Sequence, residues 1–522
     1  MRKTMLSAAV LLCCALLAAC SGGGADGATA QSQPDRNGTI TFLDPNPPPN
    51  GTMDPRTAKN DSGTSQSALY AVYDRLVGFD PSGNPIPQLA TEWSLSSDLK
   101  SVALSLREGV RFHDGEVLDS EAVKANLEKS RTLTTDVGPT LKAAAAEISS
   151  VDTPSPTQVV IHLNVADGGF VYNLGTQLGM MISPRALDGL GLQIAAVGAG
   201  PFKLESFTPN QTTTLVRNDD YWGGPGDRPM RLVMKYVTDE NTRLSAVRSG
   251  QATVTVLAPQ QISAAKSAGL EVKVNPSGAR WILYLRTDRA LKDPLVRQAL
   301  MYALNREAIA KALSFGTSAP TVQLIPEGQP GHVEGAEQAY PYDPQKARDL
   351  LAQAGYPTGL TLGFELLNLS DHTQMFDAVS QQLKDAGITL DVKKLDISQA
   401  LPAFLDGSGG DVWMSRWGGR ADPLQTLQIN VGAGGTYTPG GVVSQELEDA
   451  IGTVRSLSTE DPARADALAK ANQLAIDSAA TVPIIDRSFV YGYKKGCISH
   501  LDQYLAAGSN DWRDVTVGVG CS

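Results

Sequence analysis

Gly198-Ala199-Gly200-Pro201-Phe202-Lys203-Leu204, followed by Arg217-Asn218-Asp219-Asp220-Tyr221-Trp222-Gly223, is the stretch on which the reading of the fold turns. Its first half is glycine and proline ahead of a strand-like run, where the backbone turns sharply and a side chain would clash. Outward from it, toward the N terminus, the chain interleaves strands, helices and turns. Gly38 to Phe42 alternates as a strand, and the prolines of Asp44 to Asp54 then make a rigid irregular loop. Ser67 to Leu76 has helical spacing, and Asp80 to Asn84 is a turn. Glu92 to Leu95 and Ser101 to Leu106 read as strands, and Asp119 or Ser120 caps a helix through Lys129. Such interleaving predicts an α/β or α+β protein, not an all-α one or a repeat array.

Three later segments add to the first. In Asp293-Pro294-Leu295-Val296-Arg297-Gln298-Ala299-Leu300-Met301-Tyr302-Ala303-Leu304-Asn305-Arg306-Glu307 the apolar positions from Val296 to Ile309 form one buried helix face, with Arg297 and Arg306 off it. Tyr342-Asp343-Pro344-Gln345-Lys346-Ala347-Arg348-Asp349-Leu350-Leu351-Ala352-Gln353-Ala354-Gly355-Tyr356 opens a helix with an Asp N-cap and first-turn proline, and Gly355 stops it. Trp417-Gly418-Gly419-Arg420-Ala421-Asp422-Pro423 is a glycine-rich loop carrying both charges. In this order the four segments resemble the hallmarks of the large extracytoplasmic solute-binding proteins of the dipeptide, oligopeptide and nickel ABC-transporter family, solute-binding protein family 5. The resemblance runs from about Gly38 to the C terminus.

The resemblance implies an α/β, periplasmic-binding-protein-like clamshell of class II, cluster C, with three lobes and mixed sheets flanked by helices. It places lobe I at 38–70, 199–278 and 486–522, an inserted lobe II at 71–198, and lobe III at 279–485. Ligand would sit between lobes I and III and be enclosed on closure, with the 198–201 segment beside the hinge. The implied partners are a small peptide or peptide-like ligand, ABC permease subunits with their cytoplasmic ATPases, and membrane lipid. The protein is expected to act as a monomer. A lipid-anchored sensor or adhesin using the same fold is the alternative, as is a binder of a metal chelate or opine.

The tryptophan loop departs from the peptide-binding branches. Where those relatives place an Asp that pairs with the ligand's ammonium, this chain has Arg420, and its W-x-G-R-x-D-P form looks most like the glutathione and nickel-type branch. A guanidinium presents a planar fork suited to carboxylate or phosphate, so an anionic group on the ligand is expected there. The other reading pairs Arg420 internally with Asp422 or Asp411. Gly418, Gly419, Asp422 and Arg416 belong to the same candidate site. Trp417 is its better aromatic wall, and Trp413 the more buried of the two. Arg280 and Trp281 open lobe III at the cleft, Gly432 to Tyr437 offers backbone N–H groups and the Tyr437 ring, and Asn50 and Gly51 offer backbone contacts from the proline-rich loop.

Arg2 and Lys3, an apolar run from Leu6 to Leu17, and Leu17-Ala18-Ala19-Cys20 have the anatomy of a lipoprotein signal. Residues 1–19 would be removed, Cys20 would carry lipid, and the small polar residues 20–37 would form a tether holding the body outside the cytoplasm, at the cell surface or in the periplasm. Net charge is -11 and no Lys/Arg cluster interrupts it, which makes nucleic acid and anionic membrane surfaces poor partner candidates. Of five cysteines, Cys497 and Cys521 remain after the signal and the lipid site, and are expected to form a disulfide. Each of the five histidines stands alone, and no HExxH, GxSxG, Walker or dinucleotide fingerprint appears, so no metal, cofactor or catalytic residue is expected.

Overall fold

A computed structural model describes residues 33–57, 64–134, 137–189, 191–441, 444–501 and 510–521. The signal and Cys20 lie outside the described residues. A ten-stranded mixed sheet runs through the molecule. From one edge its strands are Ile388–Leu395, Leu360–Leu367, Val412–Trp417, Leu270–Leu285, Thr481–Lys494, Val254–Leu257, Thr39–Asp44, Arg231–Tyr236, Thr212–Arg217 and Phe202–Thr208. A separate antiparallel sheet of four strands, Ala90–Leu95, Ser101–Leu106, Gln158–Leu163 and Ile148–Ser155, carries the inserted segment.

The two longest strands, Leu270–Leu285 and Thr481–Lys494, pair antiparallel and cross from one half of the large sheet to the other. Their register breaks between Pro276, opposite Ser488, and Arg280, opposite Asp486. A β-bulge bends and twists the strand that carries it, so the crossing is the natural place for one half to rotate against the other. Apolar side chains gather on either side. Phe42, Tyr73, Phe202, Tyr491 and Trp512 belong to one core, and Leu283, Leu300, Phe364 and Val482 to another. The small sheet has its own, around Val102, Leu127 and Ile161.

The glycines of the 198–201 segment are there for contact. A Cβ on Gly198 or Gly200 would stand 2.2 and 2.6 Å from the Val72 carbonyl oxygen, and Gly200 N–H donates to that oxygen at 2.9 Å. The segment passes from the inserted lobe into the strand Phe202–Thr208 against the end of the helix Ser67–Val72. Downstream, Asn218 donates to Gly200 O, and Trp222 Nε1 donates to the buried Asp74 at 2.5 Å. Arg513 ties to the same carboxylate at 3.0 Å. This motif is a knot between lobes.

Several expectations change. The helix read over Val296 to Ile309 is two helices, Pro294–Tyr302 and Arg306–Ser314, because Asn305 caps a new start by accepting from Ala308 N–H. Arg297 and Arg306 leave the apolar stripe, but both are buried. Their guanidiniums satisfy backbone carbonyls of Leu291, Lys292 and Ser478, and of Met301 and Pro483. Met180, Ile182, Leu187 and Leu192 share a core with Phe42 and Tyr73, and Met180 pairs across with Arg75. Residues 33–37, expected as the end of a loose tether, are held by the C-terminal tail: Asp35 N–H donates to Val517 O and Val519 N–H to Gln33 O. Cys497 and Cys521 are joined in a disulfide, their Cα atoms 5.4 Å apart, beside the short hairpin of Ile498–Ser499 and Thr516–Val517.

Candidate ligand cleft

A cavity of about 610 Å³ lies at the crossing of the two long strands. Pro276 to Gly278 and Asp486 to Ser488 form its floor, and the loops Gly316–Ala319 and Pro326–Gln329 its third-lobe wall. Pro81 and Ser82, at the turn of the inserted lobe, reach its mouth. A second cavity of about 240 Å³ adjoins it, between Thr140, Glu147, Asp167 and Asn173 on one side and the tryptophan loop on the other. The two are divided where Gly419 packs on Gly278 and where Gln329 donates to Arg420 O at 3.3 Å. Gly419 has φ +78°, and a Cβ there would come 2.8 Å from Gly278 O, so both conformation and space demand glycine.

Arg416, Trp417, Gly418, Arg420, Asp422 and Tyr437 line the second cavity. The strand Val412–Trp417 delivers Arg416 and Trp417 to its end, and Asp422 caps the helix Pro423–Val431 by accepting from Leu424 N–H. Arg420 lies over the Trp417 ring at 4.7 Å and donates to Gly419 O and, across the lobes, to Thr140 Oγ1 at 3.2 Å. The two carboxylates that could have paired with it are engaged elsewhere, Asp422 with Arg464 at 3.2 Å and Asp411 with Arg289 at 3.4 Å. Burial pushes the Asp422 carboxyl up to about 6 even against Arg464. Burial and then Asp167 push Glu147 up to about 7, despite Arg455 at 3.3 Å.

Other predicted contacts are not at either cavity surface. Trp413 is buried, stacked on Tyr284 at 5.2 Å and 5.8 Å from Tyr437, a buttress behind the wall. Arg280 is fully buried, with its guanidinium on Gln323 O at 2.5 Å and on Asp486 at 3.6 Å, because its side of the strand faces the core. Trp281 meets the His372 ring edge-on at 4.7 Å, inside the third-lobe core. Asn50 donates to Thr57 O, and Gly51 sits against Asn210, so the proline-rich loop closes on its own lobe. In Gly432 to Tyr437, the N–H groups of Gly432, Ala433, Gly435 and Tyr437 are used internally, the second by Glu448 and the others by nearby carbonyls.

Sequence reasoning missed the floor. Ser277, Gly278, Arg487 and Ser488 carry no motif; the available signal was the pair Asp486-Arg487 interrupting an apolar run from Val482 to Tyr493. Arg416 pairs with Asp371 at 2.8 Å, and Asp371 also takes His372 at 2.9 Å. Against the upward push of burial, these two partners hold the Asp371 carboxyl well below the usual carboxylate range. The cleft is thus rich in guanidinium where its two cavities meet. Among the described residues no group of three or more His, Cys, Asp or Glu side chains could hold a metal ion, and no helix is long and apolar enough to cross a membrane.

A cleft between halves joined by a strand crossing defines a class of protein, the two-part clamshell that closes over a small solute. The family described as bacterial extracellular solute-binding proteins, family 5 Middle, matches residues 84–438, and the chain belongs to it. Among its relatives, the glutathione-binding protein GsiB of Salmonella paratyphi A is 32% identical over 366 residues, covering 69% of this chain and 70% of the relative. The fold is shared with the periplasmic binding protein DppA from Helicobacter pylori in complex with the peptide STSA. There the TM-score is 0.79 and the identity 22%, over 92% of this chain and 98% of that one. It is shared likewise with NikA from Brucella suis in complex with Fe(III)-EDTA, TM-score 0.78 at 21% identity, over 92% and 100%. The chain is therefore an extracellular solute-binding protein of the kind that serves ABC importers of peptides or related solutes, and its relatives are binding proteins, not enzymes.

Proposed function

We propose that this protein is the lipid-anchored substrate-binding component of an ABC importer, capturing a small peptide or peptide-like solute with an anionic group and delivering it to a membrane permease. The observation that carries this reading is the cavity of about 610 Å³ at the strand crossing, lined from both halves, with guanidiniums beside it. Its volume falls in the range of small-molecule sites, about 300 to 1,000 Å³. Rotation about the crossing would admit solute and then exclude water. The name of the GsiB relative makes glutathione the first solute to try. Arg416, Trp417, Arg420 and Tyr437 would form the neighbouring wall, adaptable to varied side chains.

Native mass spectrometry of freshly purified protein tests the proposal. A retained small molecule bearing a carboxylate is the expected result, and a retained cation or neutral solute rejects the anionic part. Loss of uptake on deleting the cognate permease separates transport from a sensor or adhesin. For the anchor, Cys20→Ser should release the protein from the membrane fraction; a variant that stays there refutes lipidation at that residue.

A further inference from the structure

We infer that Arg487 is the anion-docking side chain of the larger cavity, and that the solute bound there presents a carboxylate to it, with Arg416 reinforcing the field from the adjoining cavity. This rests on the solute-binding reading above and names the chemistry of that site.

The register break sets Arg487 at the cavity. Between the pairs Pro276–Ser488 and Arg280–Asp486, the three residues Ser277, Gly278 and Ala279 stand opposite Arg487 alone. Ser277 Oγ donates to the Arg487 carbonyl at 2.8 Å, which fixes the backbone there. The extra residues bulge the strand Leu270–Leu285 away from regular pairing, and Arg487, the single residue facing that bulge, lines the cavity formed there.

Arg487 is also left without a partner by its own chain. The other arginines buried near the crossing are tied down: Arg280 to Gln323 O and Asp486, Arg306 to Pro483 O and Met301 O, Arg464 to Asp422. The half-buried Arg487 guanidinium makes neither a hydrogen bond nor an ion pair with the described residues, and only approaches the Phe489 ring at 5.9 Å. The acid with the strongest pull on it, Asp371, is already held by Arg416 and His372. Asp486, next in the chain, faces Arg280. Arg487 is thus the one guanidinium among the residues lining the cavity, and of the two carboxylates there Asp486 is turned to Arg280 while Glu327 is exposed to solvent. Burial first, and Arg416 second, push the Arg487 guanidinium down to about 9, the response of a cation short of counter-charge. Polar neighbours on the floor do not compete for the incoming group, since Ser277 Oγ and Ser488 Oγ donate to the carbonyls of Arg487 and Thr317.

The test is thermal stabilisation of the protein by a panel of glutathione and di- to tetrapeptides, each as free acid and as its carboxyl-amidated or esterified counterpart, on wild type, Arg487→Gln and Arg487→Lys. The expected result is that stabilising solutes are free acids. Masking the carboxylate, or the Arg487→Gln change, should weaken binding by about 30-fold or more, as for other buried charge pairs, with Arg487→Lys recovering part of it. Unliganded Arg487→Gln should melt no lower than wild type, because the cation has no internal partner to lose. A lower melting point there assigns Arg487 a structural role and overturns the inference, as does a masked solute that stabilises as well as its acid. A panel in which neutral solutes stabilise overturns this inference alone, whereas one in which nothing stabilises overturns the solute-binding reading with it.

Discussion

Arg420 and Arg487 divide between them the charge that the sequence locates at Arg420 alone. Arg420 is occupied by Trp417, Gly419 O and Thr140, so Arg420→Ala should loosen the contact between the tryptophan loop and the inserted lobe and leave solute affinity within about fivefold, well short of the loss for a buried charge pair. Calorimetry of both variants with one solute checks this. Glu147, with Asp167 beside it, supplies the pH dependence. Below its ordinary value of 4.5 it is protonated folded and unfolded alike. Between there and about 7 the folded chain keeps a proton that the unfolded chain has lost. Its contribution therefore falls as pH rises through that window and is fully lost above about 7. Glu147→Gln should match wild type near pH 4.5 and out-melt it at pH 8; parallel melting curves across that range reject the assignment. His113, held neutral by burial down to about 4, works in the other direction, losing stability as pH falls from 6.5.

At the scale of elements, the contacts between lobes rest on glycines at which a side chain has no room. Gly168 donates to Arg455 O, and a Cβ on it would stand 2.0 Å from Leu457 O. Gly168→Ala must part the inserted lobe from the third lobe, at about 1 to 3 kcal/mol. Gly419→Ala adds a strained φ to a similar clash with Gly278 and should cost at least as much, together with solute affinity, because it displaces the wall that divides the cavities. Chemical denaturation reads the first, and a binding titration the second. Helix signals were legible because they are local: Asp343 accepts from Lys346 N–H ahead of Pro344, and Asp119 from Ala122 N–H, as their capping residues predict. The break at Asn305 was hidden, since the apolar positions on both sides keep helical spacing across it.

For the whole molecule, the crossing of two strands is the mechanical centre and the C-terminal tail is a clasp. The Cys497–Cys521 disulfide closes a loop of 24 residues beside the strand that pins residues 33–37. Removing it with Cys497→Ser and Cys521→Ser should cost about 3 kcal/mol by loop-closure entropy and loosen the point where the expected tether meets the body. Reduced and oxidised protein compared by denaturation measures it. Solute at 100-fold excess over its Kd should add about 2.7 kcal/mol, a gain that a 30-fold weakening by Arg487→Gln should cut to about 0.9 kcal/mol at the same concentration.

By itself the sequence determined the family, the α/β class, the order of the motifs, the capped helices and the charged tryptophan loop. All of these are written in local spacing and residue type. Only the tertiary structure decided which charges are spent. Arg280, Arg297 and Arg306 are consumed by carbonyls and a carboxylate brought from far along the chain, while a register break between strands some two hundred residues apart, Leu270–Leu285 and Thr481–Lys494, leaves Arg487 facing the cavity unpaired. The physical reason is that the cost of a buried guanidinium depends on its partners, and partners of that separation are set by folding, not by sequence neighbours.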